Sequence, residues 1–234
     1  LQIQQAALSA LTGQAQLQRL HIVTPLGGYE LPTALLKQSS TGGQALEVEL
    51  ASAPSTLAQA KTDGYAPSAA VSYELNSVAS SGTKTPIREL GQYVTRTITS
   101  SSIQTGQRLS VMRIETASNG KVNYVPVPFS IQSGQVTLRS NTNSVYMVSV
   151  ANEPMFTDMQ GHWAQSVVQQ LRDRAIVQGQ TMEKYAPSQA VTRAELAAML
   201  TRALGLSGQM NHNSATTSFP DVTSSAWYAN AIQT

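Results

Sequence analysis

Between residues 20 and 150 the apolar side chains come in short runs, alternating with polar ones and separated by clusters of Gly, Pro, Ser and Asn. That pattern predicts strands, and nine are expected, at 20–23, 29–31, 45–50, 70–75, 93–99, 109–115, 122–127, 135–138 and 145–150. Their number and spacing suggest an antiparallel sandwich. Ahead of them, Ile3, Ala6, Ala7, Leu8, Leu11 and Leu17 lie near helical spacing, which predicts a short packing helix ending around Thr12-Gly13. A further short turn of helix is expected at 56–60, and residues 76–86, rich in Ser and Gly, read as an exposed loop. Asn119-Gly120 predicts a two-residue hairpin, because both residues tolerate positive φ. Pro126 and Pro128 then end the following strand or place it at an edge, since proline cannot donate to a ladder.

Behind Pro154 the period changes. Trp163, Val167, Val168 and Leu171 lie at i, i+4, i+5 and i+8, predicting a helix from near His162 with these residues on its apolar face. Asp158 stands just ahead of that start, where a carboxylate can accept from free backbone N–H groups or favour the positive helix end. A second helix opens on Thr192-Arg-Ala-Glu195, which fits a capping box. Its buried face is predicted to be Leu196, Met199, Leu200, Ala203 and Leu204, with Gly205 as its stop. The stretch begins again before the chain ends: Phe219 follows Phe156 by 63 residues and Trp227 follows Trp163 by 64. Such repeat units bind or build more often than they catalyse.

The expected class is α+β multidomain. A β-rich, sandwich-like domain with a short N-terminal helix occupies 1–153, a helical motif 154–208, and a linker with the start of a second copy 209–234. The 234 residues suffice for two cores. The chain opens without Met and stops inside the second copy, so both ends read as cut and any export signal is expected upstream.

Composition narrows the function classes. Only 12% of residues are charged, against roughly 25% in an average soluble protein, and Ser, Thr, Gln and Asn fill the difference. A polar, uncharged surface suits a secreted surface protein. It argues against a nucleic-acid partner, because a net charge of +2 offers no cationic face. Ten of the Lys and Arg residues precede Pro154 against eight Asp and Glu, with five of each after it. The absence of cysteine removes disulfides, thiolate metal sites and cysteine nucleophiles. No apolar run reaches the length of a membrane span. His21, His162 and His212 are far apart with no metal-ligand spacing, and no nucleophile elbow, dinucleotide or phosphate-loop motif occurs. No catalytic residue, metal ligand or cofactor is expected, and the chain reads as a non-enzyme.

Four residues are candidates for binding. Trp163 is either a platform for a sugar ring or the core anchor of its helix, and spacing alone favours the core. Arg193, at the first position of a helix, opposes the dipole, so helix stability does not explain it. Its planar donor fork suits a carboxylate, either of an acidic ligand or of an Asp in a neighbouring repeat. Gly179 reads as a turn requirement that also lets a ligand approach the backbone. Asp158 is the fourth, while Glu195 reads as the capping residue.

Phe156-Thr-Asp-Met-Gln-Gly-His-Trp-Ala, Ile176-Val-Gln-Gly, Tyr185-Ala-Pro and Thr192-Arg-Ala-Glu-Leu-Ala-Ala-Met-Leu together resemble the S-layer homology (SLH) domain. The resemblance covers one full copy, from Met155 to about Gly208, and the start of a second from Ser218. It implies a helical module, usually in three copies forming a pseudo-threefold bundle, that attaches secreted proteins to the bacterial cell wall. The implied partner is an anionic, often pyruvylated, secondary cell-wall polysaccharide held in grooves between copies. By position, Arg193 would contact the acidic group, Trp163 and Gly179 would line a groove, and Asp158 would support it. Leu90-Gly-Gln-Tyr-Val-Thr-Arg-Thr-Ile, Tyr124-Val-Pro-Val-Pro-Phe and Asn143-Ser-Val-Tyr-Met-Val resemble the β-domain preceding SLH repeats in Gram-positive surface proteins, implying a structural or spacer role. The expected function is thus cell-wall anchoring at the cell surface. A self-assembling subunit of an S-layer or filament, polymerising with copies of itself, is one alternative. The C-terminal anchoring tail of a larger wall-attached polysaccharide hydrolase is the other.

Overall fold

A computed structural model describes residues 1–14, 16–39, 44–104, 106–117, 119–206, 219–223 and 225–233. The chain divides into two compact units, Leu1–Gln107 with Phe129–Val148, and Arg108–Pro128 with Ser149–Thr234.

The first unit is built on two sheets. One runs β1 (Gln2–Ile3), β4 (Ala45–Ser52), β5 (Ala66–Val78), then β12 (Val145–Val150), with β6 (Lys84–Pro86) also on β5. The other runs β10 (Phe129–Gln132), β11 (Gln135–Thr142), β7 (Glu89–Thr99), β3 (Gly27–Pro32), β2 (Arg19–Thr24). The ladders β1–β4, β4–β5, β5–β6, β10–β11, β11–β7, β7–β3 and β3–β2 are antiparallel. Three helices, α1 (Gln5–Gly13), α2 (Thr33–Ser39) and α3 (Pro54–Thr62), attach to the sheets. Alternation of apolar and polar positions points one face of β7 inward, burying Leu90, Val94, Arg96 and Ile98.

Arg96 is the feature that alternation does not foretell. Its guanidinium is fully buried and lies 4.8, 5.2 and 5.7 Å from the ring centres of Tyr29, Tyr146 and Tyr73. It donates to the carbonyls of Thr142 at 2.6 Å and Ser140 at 3.0 Å and to Oδ1 of Asn143 at 2.9 Å. Carbonyl dipoles and ring faces therefore solvate this charge in place of a carboxylate. Tyr73 spans the two sheets, its hydroxyl donating to the Thr97 carbonyl at 2.6 Å. Burial pushes the Tyr29 and Tyr73 hydroxyls above the ordinary tyrosine value, against the opposing charge of Arg96.

All nine expected strands are present, with β1, β6 and β10 in addition. Residues 76–86 depart from the loop reading, because β5 continues to Val78 and β6 folds back on it in register Val78↔Lys84. The hairpin between β8 (Leu109–Thr116) and β9 (Val122–Pro126) also differs from expectation. The Gly120 N–H bonds the Ala117 carbonyl, the Ala117 N–H bonds the Lys121 carbonyl, and Gly120 but not Asn119 has positive φ (80°). Glycine in the left-handed position thus closes the hairpin in place of a two-residue Asn-Gly turn, and Asn119 instead accepts the Lys121 N–H through Oδ1.

That hairpin belongs to the second unit, together with a short 3-10 turn (Thr157–Met159), α4 (Gln165–Asp173), α5 (Arg193–Ala203) and α6 (Ala229–Gln233). Side chains of β8 and its preceding residue fasten the hairpin to the helices. Arg108 holds the buried Asp173 carboxylate through Nε at 2.7 Å and through Nη2, and Arg113 donates to the Gly205 carbonyl at 3.1 Å. Gly205 ends α5 in a Schellman motif: φ is 69°, its N–H reaches the Arg202 carbonyl, and the Leu206 N–H reaches that of Thr201. Among the described residues no helix is long and apolar enough to cross a membrane.

Candidate functional site

The helical motif is assembled around Phe156, Met159, Val168 and Val177, with Leu171, Ile176, Tyr185 and Met199 packed against them. Arg172 closes this core from one side, its guanidinium 3.8 Å from the Phe156 ring centre and its Nη2 donating to the Met182 carbonyl at 2.8 Å. Helix α4 starts at Gln165, later than the apolar spacing suggested, because His162 uses Nδ1 to accept the Ala164 N–H at 3.2 Å in the preceding turn.

Trp163 consequently sits outside the helix and is 88% exposed. The core reading of Trp163 is corrected: Phe156 fills the position it was expected to take. Val167 is exposed as well, and α4 buries Val168, Arg172 and Asp173 instead.

Helix α5 has the predicted capping box, with Thr192 Oγ1 accepting the Glu195 N–H at 3.2 Å and Glu195 accepting the Thr192 N–H at 2.8 Å. The Thr192 N–H first, and then the Thr192 hydroxyl donating to the same carboxylate at 2.8 Å, hold the Glu195 carboxyl below the usual range. The predicted buried face of α5 holds for Met199, which packs against the core, but not for its leucines. Ala198 and Thr201 are buried, whereas Leu196, Leu200 and Leu204 are about half exposed, at 47, 53 and 50%. The apolar period marked a stripe, but within this unit the core lies against the neighbouring stripe.

Asp158 accepts the N–H groups of Tyr185 at 2.9 Å and Ala186 at 2.7 Å, from a loop distant in sequence and not from the start of α4. The Tyr185 bond is the largest cause of its lowered pKa; the Ala186 bond and the Lys184 charge add to it. By fixing this loop the carboxylate lets Ala186 adopt φ of 64°, an uncommon conformation for alanine. Gly179 is required for a reason other than turning. Its φ is not left-handed, and an added Cβ would lie 2.4 Å from Phe156 Cε1 and 2.5 Å from the carbonyl oxygens of Thr181 and Lys184.

These elements enclose a groove of about 310 Å³. One wall is formed by residues 178–180, another by Tyr185, Ala186 and Pro187, and a third by Glu195, Ala198, Met199 and Arg202 of α5. Trp227, from the second copy, completes it. Gly179 is therefore part of the groove and Asp158 braces its Tyr185–Ala186 wall. Arg193 and Trp163 do not line it. Arg193 is nine residues from Arg202, about two and a half turns, so the two project from opposite sides of α5. Arg193 is exposed and, among the described residues, has no hydrogen bond or ion pair.

Two groove residues carry more than sequence reasoning gave them. Trp227 is the repeat equivalent of Trp163, and it is 64% exposed with its ring available to the groove. Arg202 stands seven residues after Glu195, a spacing that places it on the same helix face. His212 and the rest of 207–218 lie outside the described residues.

Residues 156–197 match the S-layer homology domain family. An amylopullulanase from Thermoanaerobacterium thermosulfurigenes is 36% identical over 110 residues, covering 47% of this chain and 6% of that protein. An exoglucanase XynX from Acetivibrio thermocellus is 36% identical over 100 residues, 43% of this chain and 8% of the relative. An endo-1,4-beta-xylanase A from Thermoanaerobacterium saccharolyticum is 40% identical over 78 residues, 33% and 6%. The matched stretch thus spans less than a tenth of the length of each relative. No solved structure gives a significant match.

Proposed function

With residues 156–197 forming an S-layer homology domain, we propose that the chain anchors a secreted protein to a Gram-positive cell wall by binding an anionic secondary cell-wall polysaccharide. It does so without catalysis, and the β-rich region acts as spacer or assembly domain. The observation that carries this reading is the groove itself: α5 of the first copy and Trp227 of the second enclose one space. An indole face there offers apolar contact to sugar C–H groups while surrounding Gln, Tyr and backbone groups supply hydrogen bonds.

Trp163 and Arg193 enter this reading through repetition. Trp163 corresponds to Trp227, so it is the proposed wall of an equivalent groove against another copy. Arg193 shares its side of α5 with Leu196, Leu200 and Leu204, the stripe that further copies would cover in a closed bundle. Its contact with the acidic group is proposed for such a completed groove.

The test is co-sedimentation of the purified chain with Gram-positive wall sacculi, before and after chemical extraction of the secondary polysaccharide. Sedimentation that disappears on extraction is expected. Equal retention on extracted peptidoglycan would overturn the choice of ligand.

A second reading is favoured by the relatives, whose names are those of polysaccharide hydrolases. In it the chain is the anchoring tail of a larger wall-attached polysaccharide hydrolase. Sequencing the intact gene decides between them: a hydrolase domain encoded in frame with this segment supports the tail reading, and its absence rejects it.

A further inference from the structure

The five-stranded sheet of the first unit ends on β2, and among the described residues β2 pairs with β3 alone. The Thr33 N–H donates to the Gln18 carbonyl at 3.0 Å, which fixes the residues that bond inward. In an antiparallel ladder these alternate, so Leu20, Ile22 and Thr24 are bonded to β3, while Arg19, His21 and Val23 turn both backbone groups outward. No other backbone bond reaches those three among the described residues. The other strands with one neighbour are short: β1 has two residues, β6 three ending in Pro86, and β10 four. β2 has six in unbroken register and no proline. Its side chains are left open as well. Leu20 and Ile22 share the face on which Leu31 and Tyr29 are fully buried, yet are themselves only half-buried, and Val23 on the opposite face is 72% exposed.

We propose that β2 is a self-association edge, pairing antiparallel with β2 of a second copy of this chain about a two-fold axis at His21. Outward residues then oppose outward residues. His21 meets His21 of the second copy, Arg19 of each copy meets Val23 of the other, and these pairs exchange about six backbone hydrogen bonds. The strand is its own complement in this register on both faces. On the outer face the stem of Arg19 covers the exposed Val23 of the other copy, while its charge stays with Glu30 at 3.2 Å, so no formal like charges are opposed. On the inner face Leu20 of each copy lies opposite Ile22 of the other and closes the open apolar margin. The contact joins two five-stranded sheets into one and stops at two copies, because each β2 is then used. One strand pair is a small contact, and the dimer is accordingly weak. This pairing gives the assembly role proposed for the β-rich region a definite surface, and it does not depend on wall binding.

The experiment is sedimentation velocity of the purified whole chain, without wall polymer, from about 1 μM to 1 mM, the range of weak association. A monomer–dimer equilibrium is expected. His21→Pro removes an outward N–H and no bond to β3, so its melting is expected to stay near that of wild type while its dimer dissociation constant rises about tenfold or more. Cross-linking reads the register, since the chain has no cysteine, and it carries the test should proline perturb the strand. In the proposed pair the two residues 21 stand about 5.5 Å apart at Cα, inside disulfide range. The two residues 23 stand roughly 14 Å apart. His21→Cys is therefore expected to give a covalent dimer on mild oxidation and Val23→Cys is not, whereas Val23→Cys mixed with Arg19→Cys is. A wild-type chain monomeric throughout the range, or equal cross-linking at positions 21 and 23, would overturn the proposal. So would a dimer weakened by Leu200→Lys, on the half-exposed stripe of α5, but not by a folded His21→Pro. Growth beyond dimers would overturn the two-fold closure. Each of these outcomes leaves wall anchoring untouched, because that is read separately by sedimentation with sacculi.

Discussion

Replacing Gly179 by alanine tests the packing that shapes the groove. A Cβ there would stand 2.4 Å from Phe156 Cε1 and 2.5 Å from two carbonyl oxygens, those of Thr181 and Lys184. The ring cannot swing aside, since Phe156 is 2% exposed and Arg172 lies against its face. The carbonyls are backbone, so relief requires the chain itself to move. Overpacking of this kind costs about 1–3 kcal/mol, and three simultaneous contacts under 3.0 Å argue for the upper end. For a unit of about 100 residues, each kcal/mol shifts Tm by roughly 4–8 °C, giving a fall of more than about 10 °C. Both tryptophans, Trp163 and Trp227, are in the second unit, so fluorescence-monitored melting reports that unit alone. Gly161 is the control, because it has φ of 75° and open space where a Cβ would go. Gly161→Asn, whose side chain tolerates the left-handed region, should be mild and Gly179→Asn severe. A Gly179→Ala protein melting within about 2 °C of wild type would refute the packing argument.

Asp158 and Glu195 have lowered pKa values in the folded chain, so they contribute stability above the ordinary carboxylate value near 4 that is lost as pH falls through their folded values. Wild type should lose Tm steeply below about pH 4, and Asp158→Asn should be less stable at neutral pH with a flatter acid limb; parallel curves from pH 2 to 6 would reject the bracing role. Tyr29 and Tyr73 titrate in the opposite sense: their raised values contribute stability that is fully present below about pH 10 and is lost above it. Urea midpoints measured from pH 8 to 11 should fall at the top of that range for wild type and less for Tyr73→Phe. Arg96→Met removes charged hydrogen bonds worth roughly 1.5–3 kcal/mol each and should destabilise the β-rich unit by about 3 kcal/mol or more in urea unfolding. A loss under 1 kcal/mol would show that the tyrosine rings and carbonyls do not depend on it.

The strands were legible because each buries alternate residues, as β7 does with Val94, Arg96 and Ile98, and alternation is a local signal. The capping box and the Gly205 stop were legible for the same reason, each being complete within a few residues. What sequence pattern missed is set by long-range partners. The 3.6-residue period of α5 contains two apolar stripes, and only the packing of Met199 against the core of Phe156, Met159, Val168 and Val177 decides which of them faces inward. Trp163 is a further case: its spacing fits α4, but the His162 turn holds it off the helix. Local logic also drew attention to Arg193, which opposes a dipole, and away from Arg202, whose position looks ordinary until the groove is seen.

The most direct measurement uses Trp163→Phe, which leaves Trp227 as the sole tryptophan of the chain. Its fluorescence is titrated with purified anionic wall polysaccharide. Closure of the groove on a sugar ring predicts a saturable blue shift of the emission, reversed by competing free polymer fragments. An emission spectrum unchanged at polymer concentrations that sediment the protein would place the ligand elsewhere and contradict the groove as the anchoring site.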